Sequence, residues 1–157
     1  MKVMPTLEGG LRIDLEDRDD WGFLYAIHHD VTACDSHLAD RLGSAVSHQE
    51  IADDWREFVV PDLDLSFSSQ LNVVAEAITR ARDEADDGPG TLWIRRDDAY
   101  DWYGALNQAR LAIEECHHFG PGESVDPLSL EPGARQAFLR SQFYCALQSL
   151  LLENGMG

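Results

Sequence analysis

From Ala99 to Cys116, apolar residues recur with spacings of 3, 4, 3, 4 and 3: Ala99, Trp102, Leu106, Ala109, Ile113 and Cys116. That period is a helix with one apolar stripe, and a helix so long and so one-sided must bury its stripe against other elements. The chain supplies suitable partners. Leu24, Ile27, Val31, Cys34 and Leu38 repeat the pattern, as do Leu71, Val74, Ile78, Ala81 and Ala85. A last helix turns Ala137, Phe138, Tyr144, Leu147 and Leu151 inward. With 157 residues, the expected fold is mainly α, with about five helices in one compact, bundle-like domain.

Local signals set the expected ends of these helices. Asp17 is an N-cap, with Asp19 and Asp20 favoured at the positive end of the helix dipole. That helix is expected to run to Leu42 and stop at a left-handed Gly43, with room for a break near Asp35-Ser36. Ser47 and Glu50 form a capping box ahead of a short helix whose inner face is Ile51, Trp55 and Phe58. Pro61 is expected to end it. Asp62 to Phe67 alternates apolar and polar residues and reads as a short strand or an ordered linker, before a third helix capped by Ser68. Gly88-Pro89-Gly90 breaks the chain again. Asp97 or Asp98 caps the helix of the Trp102 stripe, and Gly120-Pro121-Gly122 closes it. Pro132 suits the first position of the last helix, which ends near Asn154.

Two short segments alternate instead. Leu11, Ile13 and Leu15 enclose Arg12 and Asp14, and Thr91 to Arg95 repeats the form, so a minor two-stranded β element is expected. The two segments echo each other at an offset of 81: Gly9, Leu11, Ile13, Asp17, Asp20 and Trp21 match Gly90, Leu92, Ile94, Asp98, Asp101 and Trp102. Each half thus places a half-buried strand before an acid-capped helix with an early tryptophan. The strands can pair under a helical cover, in either orientation.

Charge limits the choice of partner. A formal net charge of -17, with eleven arginines and one lysine, would repel phosphate backbones and anionic lipid, so neither nucleic acid nor a membrane is expected. No apolar run approaches the length of a membrane span, and the opening residues lack the apolar core of a signal peptide, which points to the cytoplasm. Three scattered cysteines, Cys34, Cys116 and Cys145, are not a disulfide framework and read as reduced, buried thiols.

Catalytic patterns are weak. Glu114/His117 and Glu115/His118 each have the E-x-x-H spacing of di-iron bundles, but on one helix only. Cys116 with His117 or His118 offers zinc ligands together with Cys34 and His37. Cys34 and Cys116 also lie on apolar stripes, where a thiol packs as a small hydrophobe. His28-His29-Asp30 offers no dyad, because adjacent helical positions point about 100° apart. No phosphate loop or calcium loop is present. The four tryptophans, Trp21, Trp55, Trp93 and Trp102, read as core. No cofactor is expected.

The stretch Trp102-Tyr-Gly-Ala-Leu106-Asn107-Gln-Ala-Arg110-Leu111-Ala-Ile113 resembles the W-x-x-x-L-N-x-x-R-L-x-L segment of an uncharacterised bacterial family, the domain of unknown function two thousand and seventeen. The opening strand with its acidic helix start, and the second strand before the Trp102 helix, are similar too. After Ile113 the chain departs from that pattern with Glu-Glu-Cys-His-His. The resemblance implies no established activity. Genes of that family often lie beside that of an adaptor of the Clp protease, which associates it with proteolysis or its control. Asn107 and Arg110, beside the Trp102 stripe, serve either helix packing or a partner-binding notch, and Trp21 and Trp102 join them as candidate interaction residues. The expectation is a non-catalytic interaction or regulatory module with a protein partner, able to self-associate through open strand edges. The alternative is a small metal-dependent enzyme or metal sensor built on Glu115, Cys116, His117 and His118.

Overall fold

The computed structural model describes residues 1–33, 37–44 and 49–157. Its strands are β1 (Lys2–Pro5), β2 (Gly10–Leu15) and β3 (Gly90–Arg95). Its helices are α1 (Arg18–Thr32), α2 (Leu38–Ser44), α3 (Gln49–Asp54), α4 (Val60–Glu84), α5 (Ala99–His117) and α6 (Pro132–Asn154). A π-helical turn, Trp55–Val59, joins α3 to α4 without a break. Counting that rod once gives five helices among the described residues, the number expected, although the first expected helix is divided into α1 and α2 and the second and third are joined in the rod.

The sheet has three strands rather than two, in the order β1-β2-β3, and both pairings are antiparallel. β1 escapes the sequence pattern because three of its four residues are exposed and none is buried, so it carries no alternation. Between β2 and β3 the register pairs Leu11 with Ile94, Arg12 with Trp93 and Ile13 with Leu92. In the sequence echo Leu11 matches Leu92 and Ile13 matches Ile94. The pairing therefore exchanges equivalent positions, as a two-fold axis through the Arg12–Trp93 pair would. The repeated strand-to-helix units meet edge to edge through their strands, and α1 and α5 pack on each other behind them.

The core confirms most of the helical stripes. α5 lies among α1, α4 and α6 and buries Ala99, Trp102, Ala105, Leu106, Ala109, Ala112 and Ile113. Four of those are alanines, whose small side chains let neighbouring helices approach closely. Trp102 and Leu106 fill the space between and are wholly enclosed, each contributing roughly 1.5–3 kcal/mol. Val74, Ile78 and Ala81 of α4 and Ala137, Tyr144, Leu147 and Leu151 of α6 complete the same cluster. Asp17 caps α1, accepting from the N–H of Asp20 at 3.0 Å.

Polar ties cross this core. Asp30 of α1, only 4% exposed, accepts two hydrogen bonds from Arg140, at 2.8 and 2.7 Å, and one from the Tyr144 hydroxyl at 2.8 Å. Burial first, and then the Asp30 charge, push the Tyr144 phenol well above its ordinary range. Gln108 of α5 donates to the Phe67 carbonyl and to Gln70 Oε1, at 3.2 and 2.9 Å. Gln148 of α6 donates to the Tyr103 carbonyl at 3.2 Å. A buried amide or carboxylate left unpaired is costly, so these bonds favour one relative placing of the helices.

Several expected boundaries are corrected. Pro61 does not end a helix, and Asp62 to Phe67 is neither strand nor linker but the first turns of α4. The π turn explains this. The Val60 N–H reaches the Trp55 carbonyl, five residues back, and the wider turn accommodates a proline that has no N–H to donate. α1 stops at Thr32. Gly43 lies inside α2 without a left-handed φ; its missing Cβ matters because one would sit 2.4 Å from Trp55 Cδ1. His118, not a glycine, takes the left-handed cap of α5, with φ 52°. Ile51 and Phe58 are exposed rather than inward. Cys116 is exposed and disulfide-bonded, whereas Cys145 is a free thiol. Cys34 and the start of the Ser47 capping box lie outside the described residues.

Candidate functional site

Strand alternation builds a second, outward surface. Burying Leu11, Ile13, Leu92 and Ile94 turns Arg12, Asp14, Thr91, Trp93 and Arg95 to the other face of the sheet. The register then sets Met4, Arg12 and Trp93 in one row across the three strands. The Arg12 guanidinium lies over the Trp93 ring, 5.4 Å from its centroid, a cation–π arrangement. Its Nε donates to Asp14 Oδ1 at 2.8 Å, and the Thr91 hydroxyl donates to the same oxygen at 3.0 Å. The Arg12 hydrogen bond is the main reason that the Asp14 carboxyl lies below its ordinary range.

The β1–β2 hairpin forms one wall. Gly9 and Gly10 both have left-handed φ, 85° and 101°. A Cβ on Gly10 would sit 2.2 Å from the Ile94 carbonyl oxygen, so glycine lets the hairpin close against β3. The Thr6 hydroxyl donates to the Gly9 carbonyl at 2.9 Å, fixing the turn, and Leu7 stands fully exposed at its tip. Opposite the hairpin runs Trp93 to Asp97. Between the two walls lies an open cleft of about 740 Å³. Arg12, Arg95 and Arg96 line it together with Glu8 and Asp97. Arg96 also donates to the Gly157 carbonyl. The lining has no cysteine, histidine or serine, and the Thr6 hydroxyl is already engaged.

Sequence reasoning placed Trp93 in the core, yet it is 55% exposed. The signal that reveals it is the alternation itself, because Leu92 and Ile94 point inward and Trp93 lies between them. Trp21 and Trp102 are buried, and Trp21 Nε1 donates to the Gly88 carbonyl at 2.9 Å. Trp55 is half-buried and donates to the Ala39 carbonyl at 3.2 Å. Asn107 is exposed on α5. Arg110, half-buried, donates to Gln148 Oε1 at 2.6 Å and so ties α5 to α6. None of these four candidates (Trp21, Trp102, Asn107, Arg110) lines the cleft of the sheet face.

The histidine region has other bonds. Glu114 Oε1 accepts from the Gly120 N–H at 2.9 Å, Glu115 pairs with Arg41 at 3.0 Å, and His117 stacks on Phe119. Among the described residues, no group of three or more His, Cys, Asp or Glu side chains is gathered as a metal site. His28 and His29 are exposed, while neighbouring Asp30 is enclosed by Arg140 and Tyr144. No described helix is long and apolar enough to cross a membrane.

These features define a helical protein with a small antiparallel sheet, helices behind it and an arginine–tryptophan cleft on its open side. The family model described as Domain of unknown function (DUF2017) matches residues 6–154, and the chain belongs to that family. No curated protein and no solved structure was found to match it.

Proposed function

We propose that the protein is a non-catalytic interaction module whose recognition surface is the outer face of its sheet. One observation carries this reading: Trp93 stands more than half exposed in a cleft, beneath Arg12, although inward strand positions lie on either side of it. Exposed tryptophan and arginine are the residues most enriched where proteins bind one another. A regulatory role in the control of proteolysis is the setting that the family's gene neighbourhood suggests. The test is a photo-crosslinking amino acid in place of Trp93, compared with the same group at exposed Leu152 on α6. A discrete adduct from position 93 alone is expected. No adduct, or the same adducts from both positions, would overturn the reading.

Self-association is a second reading, favoured by Phe58 and Leu65, which are 64% and 72% exposed on the rod formed by α3, the π turn and α4. A native mass spectrum without added metal reports subunit number and any bound ion together. An oligomer that Phe58→Glu with Leu65→Glu converts to a monomer supports this reading; a wild-type monomer ends it. A stoichiometric transition ion would instead favour the metal-dependent alternative at Glu115, His117 and His118, with Cys116 joining them only once its disulfide is reduced.

A further inference from the structure

We infer that the cleft on the sheet face takes a short, extended acidic peptide segment, with carboxylates meeting Arg95 and Arg96 and an apolar side chain lying against Trp93 and Met4. This rests on the interaction reading above and names the chemistry of its partner. The charge distribution is the first argument. The chain has 29 acidic and 12 basic residues, yet three arginines face two carboxylates around this one cleft. Over the chain as a whole acidic charge is in excess, whereas this lining is balanced, with Arg95 and Arg96 facing Glu8 and Asp97 once Arg12 is paired with Asp14, so an acidic segment meets less repulsion here than an average stretch of the chain would give.

The state of each arginine is the second argument. Arg12 is committed to Asp14 and to the Trp93 ring. Arg96 gives one N–H to Gly157 and retains others. Arg95 is exposed at the end of β3, with no ion-pair partner among the described residues. Its planar fork suits a carboxylate.

Two features separate a peptide from a nucleotide. The upper face of Trp93 is covered by Arg12, so a base cannot stack there without displacing it. Glu8 and Asp97, also in the lining, can accept hydrogen bonds from peptide N–H groups, which the phosphates of a nucleotide do not offer. The apolar part of the site, Met4 and Leu7 with the edge of Trp93, suits the side chains that alternate with carboxylates along an extended segment.

The test uses the full chain and a fluorescein-labelled heptapeptide alternating glutamate and leucine, followed by fluorescence polarisation. Saturable binding is expected, weakened at least about tenfold by Arg95→Glu, by Trp93→Ala and by glutamine in place of glutamate in the probe. Far-UV dichroism and melting temperature confirm that each variant is folded. No binding up to about 1 mM protein, or binding that neither variant weakens, overturns the inference. Displacement of the probe by ATP at lower concentration than by unlabelled peptide also overturns it and marks a phosphate site. If position 93 still crosslinks to a discrete partner while the acidic probe fails, the partner chemistry is wrong and the interaction reading stands. If both fail, both are wrong.

Discussion

Asp30 shows what a single residue does in this fold. It is nearly enclosed, and its charge is held by Arg140 and Tyr144 from α6. Removing the cation leaves an uncompensated buried charge, so Arg140→Leu is expected to lower unfolding free energy by about 3 kcal/mol, less than a fully buried pair because Arg140 keeps some water. Tyr144→Phe removes one hydrogen bond to a charged acceptor and should cost about 1.5–3 kcal/mol. Urea denaturation measures both, and a change below 0.5 kcal/mol for Arg140→Leu, roughly the level of an ordinary surface substitution, would contradict the role given to the pair. The Asp30 contact was not legible in the sequence, because nothing in His28-His29-Asp30 says which face of α1 meets a helix more than a hundred residues later. Asp14 and Asp20, near the N-terminus, contribute to acid stability. For Asp14 the hydrogen bond from Arg12 is the largest influence; for Asp20 burial raises the pKa, but the Glu16 N–H and the chain's amino group outweigh it. Both carboxyls end below the model-peptide value of 3.8. Below 3.8 the unfolded chain therefore binds more protons than the native one, and this stabilisation, fully present above that pH, is lost as pH falls through the lower native values. Denaturation midpoints followed from neutral pH into this acid range should decline less steeply in Asp14→Asn than in wild type.

At the scale of elements, the stripes of α5 and α6 were readable because each helix is packed along much of its length, so its buried positions keep helical period. The rod from α3 to α4 was not, because Pro61 looks like a stop until the π turn ahead of it is known. β1 was unreadable for the opposite reason: Lys2–Pro5 buries no residue fully and leaves no period to find. The recognition surface was half legible. Arg12 was read as outward on its strand, but Trp93 was assigned to the core by residue type, against the alternation of its own segment. Close approaches test these elements directly. Gly43→Ala puts a methyl group against Trp55, and the cost is expected to be about 1–3 kcal/mol, with a red shift in tryptophan emission. Gly10→Ala meets both left-handed φ and the Ile94 carbonyl. It should destabilise by at least about 2 kcal/mol and disturb the β2–β3 amide signals; a neutral result would show that the hairpin can relax away from β3.

For the molecule as a whole, stability should be graded outward from α5. Hydrogen exchange is expected to be slowest in α5, β2 and β3, which share the central core, and faster in β1 and the α3–π segment, whose side chains are largely exposed. Protection of β1 equal to that of β2 would mean that its outer edge is covered in solution, in support of self-association. The register of β2 on β3 has another consequence. A two-fold arrangement maps position 12 onto position 93, so two identical halves would present the same residue from both sides of the sheet's centre. One continuous chain is free of that constraint and sets a cation against an indole ring there. The groove over that pair therefore has a head and a tail: a strand laid along it meets different chemistry when its direction is reversed, and the halves that look alike in sequence together distinguish one polarity from the other.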